Sequence, residues 1–151
     1  MGNGLTKTHG WEQRFATLLS QYNGCEFNYG TLDCCLFVGD VVKEITGVDL
    51  VSDFRGKYHD LESLRDFLQK KQGSTDHIKL IAKLLTSQGV NKQKPVFAKR
   101  GDVVVIRQIN DNEINYILGI IHLNGKDVVA MQHSGLGYYP ISMITKAWEI
   151  N

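Results

Sequence analysis

Asn28-Tyr29-Gly30-Thr31-Leu32-Asp33-Cys34-Cys35-Leu36-Phe37 joins a glycine turn, an acid and two adjacent cysteines to a strongly apolar run. Thr31 or Asp33 can cap a helix here, because a short oxygen-bearing side chain accepts a bond from a free first-turn N–H. Cys34, Phe37, Val38, Val41 and Ile45 fall at i, i+3, i+4, i+7 and i+11, one apolar stripe. Gly47 is a natural stop. The helix is apolar over more than half its circumference, so it is expected to be the most buried one. Cys34 at its start faces unpaired N–H groups and the positive end of the dipole, which favour a thiolate. The same position also suits a small buried hydrophobe, and both readings stay open. Cys35 points a third of a turn away, as a packing residue.

Upstream, Trp11, Phe15, Leu18, Leu19 and Tyr22 have helical spacing, and Asn23-Gly24 ends that helix. Residues 1–9 are polar and expected to be loose. Downstream, 49–58 is a connector. Two amphipathic helices follow within 60–88, the first capped by Asp60 and the second starting near Asp76. Arg100-Gly101-Asp102 turns into Val103-Val104-Val105-Ile106, whose β-branched run predicts a strand buried on both faces. Residues 114–123 and 126–132 predict two more strands around the hairpin signal Asn124-Gly125. Residues 134–138 are glycine-rich, a short edge strand is expected at 139–141, and 143–150 closes the chain around Trp148. Helices first and an antiparallel sheet after them define the α+β class, in one domain.

The 151 residues are 42% hydrophobic and 22% charged with a formal net charge of +1, an ordinary globular balance with no field for nucleic acid or an anionic membrane. No run predicts a transmembrane helix, and the N-terminus lacks the apolar core of a signal peptide. The expected setting is cytoplasm, or release by lysis or within a particle. Three cysteines, two of them vicinal, predict reduced thiols. No second Cys/His cluster has ligand spacing, so neither a metal nor a cofactor is expected.

Tyr29-Gly30, Asp33-Cys34, Arg100-Gly101-Asp102-Val103-Val104 and Leu118-Gly119-Ile120-Ile121 resemble, in order, the papain-like cell-wall cysteine peptidases of the NlpC type. Adding Trp11, Phe15, Asp53, Arg55-Gly56-Lys57-Tyr58, Gly135-Leu136 and Ala147-Trp148 makes the chain similar to phage and bacterial proteins related to that family, over nearly its whole length. The resemblance implies a papain-like NlpC-type fold, a nucleophile at Cys34 and a phage virion, tail or host-cytoplasm setting. It implies a peptidoglycan peptide as substrate or other virion proteins as partners.

Such a peptidase needs a histidine in reach of the thiol, oriented by a third polar group. The alignment puts Ile117 in the histidine slot. With a two-residue turn at Asn124-Gly125, His122 faces Asp127 as a cross-strand pair and Gln132 faces Ile117. Gln132 is then the candidate orienting amide and His133 the candidate displaced base, turned inward by a bulge. Asp33, Arg55 and Tyr58 are candidate substrate or partner contacts; a structural arginine bonding loop carbonyls or an acid such as Asp53 is the other reading of Arg55. His59 and His77 are expected on the surface of the helical pair, and His9 in the loose N-terminus. Two functions follow: a cysteine hydrolase acting on cell-wall peptides, or a catalytically inactive assembly component of a phage particle.

Overall fold

A computed structural model describes residues 4–151. Four helices come first: α1 (Trp11–Tyr22), α2 (Cys34–Thr46), α3 (Leu61–Gln72) and α4 (His77–Ser87). Six strands follow: β1 (Lys92–Gln93), β2 (Val103–Asn110), β3 (Glu113–Ile121), β4 (Asp127–Gln132), β5 (Gly135–Pro140) and β6 (Ile144–Trp148). They form one sheet in the order β1-β6-β2-β3-β4-β5, with every pairing antiparallel. The fold is α+β, with the helices N-terminal to the sheet.

The α2 helix is the centre of the core. Leu36, Phe37, Val38, Val41, Val42 and Ile45 are fully buried, each worth about 1.5–3 kcal/mol as a large side chain removed from water. Asp33 caps the helix and Gly47 ends it in the left-handed conformation. Helix α1 packs Phe15, Leu18 and Leu19 into the same core. In the sheet, Val103, Val105, Leu118, Ile120 and Trp148 face the helices. Val104, Ile106, Ile117, Ile121 and Ala147 form a second cluster on the opposite face. The β-branched run of β2 is thus buried on both sides.

Asp102 is fully buried and holds the turn before β2. Its carboxylate accepts from Gln93 Nε2, Lys99 N and Ile150 N. The β2–β3 hairpin closes through Asp111 and Asn112, both at positive φ between the paired Asn110 and Glu113, the two-residue geometry that matches strand twist. The β3–β4 turn spans more residues than Asn124-Gly125 alone. Asn124 Oδ1 accepts from Lys126 N and Asp127 N, and the strands end at Ile121 and Asp127. The register is nonetheless the expected one, since Ile120 pairs with Val129 and His122 N donates to Asp127 O.

Two expectations are corrected. Leu5 is buried, Thr8 N donates to Ile45 O, and Lys7 Nζ donates to Ile150 O, so the segment before α1 is tied to the end of α2 and to the residues after β6. Residues 1–3 of the segment expected to be loose lie outside the described residues. The glycine-rich 135–138 belongs to β5, which pairs with β4 along its whole length from Gln132–Gly135 to Asp127–Pro140. Among the described residues, no helix is long and apolar enough to cross a membrane.

Candidate active site

Gly30 makes the approach to the cysteines. Its φ is +84°, and a Cβ there would lie 1.9 Å from Tyr58 O, so only glycine fits. The turn delivers Asp33, which is 1% exposed. Asp33 Oδ1 accepts from Cys35 N at 3.1 Å and Leu36 N at 3.0 Å; Oδ2 accepts from Gly30 N at 3.0 Å and from the Tyr58 hydroxyl at 2.6 Å. A carboxylate with four donors locks the loop, the helix start and the connector together. Asp33 and Tyr58 are therefore internal braces rather than substrate contacts. Arg55 is also engaged: its guanidinium pairs with Asp40 at 2.6 Å and Asp49 at 3.0 Å, not with Asp53.

Cys34 is the first residue of α2, half-buried at the floor of a cleft of about 350 Å³. Asp33 Oδ1 takes two of the four first-turn N–H groups and Phe37 N reaches Asp33 O. Among the described residues the Cys34 N–H is the first-turn donor left without a partner.

The histidine beside Cys34 is His77. The Cys34 sulfur, the Cys35 sulfur and a His77 ring nitrogen lie within 4.8 Å of one another. His77 opens α4, whose N-cap Asp76 accepts from Ile78 N and Lys79 N. Gln72 Nε2 fixes that corner by donating to Ser74 O and Asp76 O. Leu80, Ile81 and Leu85 anchor α4 in the core. The expectation that His77 lies on the surface is thus overturned: the packing of α4 turns its first residue into the cleft.

The electrostatics follow from this contact. The neighbouring Cys35 thiol, together with His77, holds the Cys34 thiol well below its ordinary value, against burial and the Asp33 charge, which raise it. Burial alone would lower His77; the Cys34 sulfur beside it, with Asp76 and Asp33, raises it overall. Cys35, fully buried and next to the Cys34 thiolate, is raised. Both shifts favour the thiolate and imidazolium forms of the pair. Two sulfurs and an imidazole this close also make a ligand set that suits a soft ion such as Zn²⁺. The chain spacing of these residues does not disclose it.

The other candidates are placed elsewhere. His133 is exposed at the cleft rim, its ring 4.3 Å from that of Phe27, with its Nε2 3.3 Å from the Tyr29 hydroxyl. Gln132 lines the same cleft, and among the described residues it hydrogen-bonds no histidine. Ile117 packs with the cluster on the far face of the sheet, so a side chain in that slot does not point at α2. His122 accepts from Asn124 N at the hairpin turn. His59 is exposed beside Asp60. Pairing of β3 with β4 stops at Ile120–Val129, and the gap between the separating strands is one wall of the cleft.

An α+β domain with a cysteine at a buried helix start and a histidine against it defines the class. The chain belongs to the family described as a domain of unknown function, DUF6950, whose model matches residues 6–150. No curated protein and no solved structure matches the chain.

Proposed function

We propose that this domain is a cysteine hydrolase in which Cys34 is the nucleophile and His77 the proton carrier. The observation that carries the reading is the cluster of the Cys34 sulfur and the His77 ring within 4.8 Å at the floor of an open cleft. The Cys34 thiolate attacks an acyl carbon, forming a C–S bond. The His77 imidazolium gives its proton to the departing nitrogen as the C–N bond breaks. Water then cleaves the thioester with His77 taking a proton, which releases a carboxylic acid and restores the thiolate and imidazolium. The Cys34 N–H is the nearest backbone donor for the oxyanion.

The resemblance to NlpC-type peptidases supports a papain-like ancestry and cell-wall peptides as substrates, with a phage particle or its host as the setting. It differs in one respect. That family carries its base on the sheet, whereas here the imidazole comes from α4. A second reading, a catalytically inactive assembly component of a particle, is favoured by Ile117 in the family's histidine slot. It is also favoured by the His77 ring, which among the described residues has no hydrogen-bonded orienting partner. Incubation with purified muropeptides separates the two. Release of peptide fragments by the wild type but not by Cys34→Ser supports the hydrolase. No release, with the protein incorporated in purified particles, supports the assembly role.

A further inference from the structure

Two cavities meet at His77. The cleft that holds Cys34 has no carboxylate, lysine or arginine in its lining; its polar side chains include four primary amides, Gln108, Asn110, Asn115 and Gln132. The second cavity, about 590 Å³, shares His77, Asn115 and Tyr116 with the first and runs along the helix-facing side of the sheet. Register explains its contents. Arg107 is two residues beyond the helix-facing Val105 and pairs with Tyr116, and Lys146 pairs with Val105, so all three share that face. Arg107 and Lys146 are exposed, and among the described residues neither has an ion-pair partner. Asp76 is the one acid in the lining, and its side chain is committed to the α4 cap. The second cavity is therefore cationic, and the first has no charged side chain beyond the Cys34–His77 pair itself.

We infer that this site takes a charge-divided substrate, with an uncharged amide-bearing acyl portion in the Cys34 cleft and an acidic leaving portion in the Arg107–Lys146 cavity. This rests on the hydrolase reading. The direction follows from the chemistry: the proton goes from His77 to the departing nitrogen, so the leaving fragment lies on the His77 side of the thiolate. Beyond His77 that path enters the cavity with the two cations. The amides offer both donors and acceptors, which match peptide or acylamino groups. Placing a carboxylate among them would remove its water without supplying a counter-charge.

Acyloxymethyl ketones test this without requiring the natural substrate. The Cys34 thiolate displaces the carboxylate leaving group at the CH₂ carbon, forming a stable C–S bond. N-acetyl-Ala-Gln ketones carrying benzoate or singly esterified isophthalate, which keeps one free carboxylate, are compared by inactivation rate. The isophthalate probe is expected to react about fivefold faster, the size of a contact with exposed cations. That ratio falls towards one in the doubly substituted Arg107→Gln/Lys146→Gln protein, and for wild type in 0.5 M NaCl. Replacing Gln by Glu in the acyl portion slows both probes. A wild-type ratio near one, or a ratio unaffected by both salt and substitution, overturns the inference. So does failure of both ketones with a thiol that iodoacetamide labels rapidly at pH 6. Slow labelling by iodoacetamide as well fails the hydrolase reading instead, and the inference with it.

Discussion

The Cys34 sulfur and the His77 imidazole meet across the junction of two helices, each residue being the first of its own helix. Each is preceded by a capping aspartate, Asp33 and Asp76, whose side chain accepts from the next two N–H groups of its helix. Two exposed backbone termini are thereby converted into two fixed side chains facing one cleft.

Asp33 supports that arrangement, and its removal is expected to act through stability. Asp33→Ala loses a helix cap and leaves the Tyr58 hydroxyl and Gly30 N–H buried without partners. The cost is about 3 kcal/mol, from a cap of ~1 kcal/mol and unsatisfied buried polar groups of ~1–3 kcal/mol. Urea denaturation measures it.

Arg55 sits in a clamp between Asp40 and Asp49, away from the thiol. Arg55→Gln is expected to lower stability by about 1 kcal/mol, because a third of the side chain remains solvent-exposed and water screens the pair. The rate of Cys34 alkylation should not change. A loss of reactivity at unchanged stability would return Arg55 to the site.

The thiolate–imidazolium pair links stability to pH. Cys34, lowered from 9.0, stabilises the fold fully above that value and progressively less as pH falls. His77, raised from 6.5, stabilises fully below that value and loses its contribution as pH rises through its folded value. From about pH 6.5 upward the two slopes cancel for as long as folded His77 and unfolded Cys34 both keep their protons, because folded and unfolded chains then bind equal numbers of protons at these two sites. The stability difference between wild type and the Cys34→Ser/His77→Gln protein should be flat just above pH 6.5 and shrink as pH falls below it. A difference that rises through pH 6.5 without levelling would show that the two groups do not titrate as a pair.

The Cys34–Cys35–His77 set also predicts inhibition by a soft ion. Micromolar Zn²⁺ should slow alkylation of Cys34 by occupying the thiolate, and EDTA should restore the rate. His77→Gln should weaken the effect at least tenfold, as loss of one ligand demands.

The helices were legible because their signals are local: Asp33, Asp60 and Asp76 cap, Gly47 stops, and the apolar stripes have helical period. The hairpin register was legible because Asn124 bonds its own turn. His77 was not. A histidine after a capping aspartate looks like any exposed helix start, and its inward direction comes from the docking of Leu80, Ile81 and Leu85. His133 was misplaced for the converse reason. An exposed position beyond the end of β4 offers its ring to Phe27 and Tyr29, whose loop lies alongside. Strand β5 was expected only at 139–141 because Gly135 and Gly137 weaken the pattern of a strand that β4 nonetheless pairs with in full.

The central claim is that His77 activates Cys34. Its most direct test is the alkylation rate of Cys34 by iodoacetamide against pH, read by mass spectrometry so that the exposed Cys25 is counted separately. The wild type should react at pH 6 well above the rate of an ordinary cysteine, whose thiol titrates near ~8.5. His77→Gln should move the profile to higher pH. A wild-type rate at pH 6 no greater than that of free cysteine, or a His77→Gln profile superimposed on the wild type, would contradict the account.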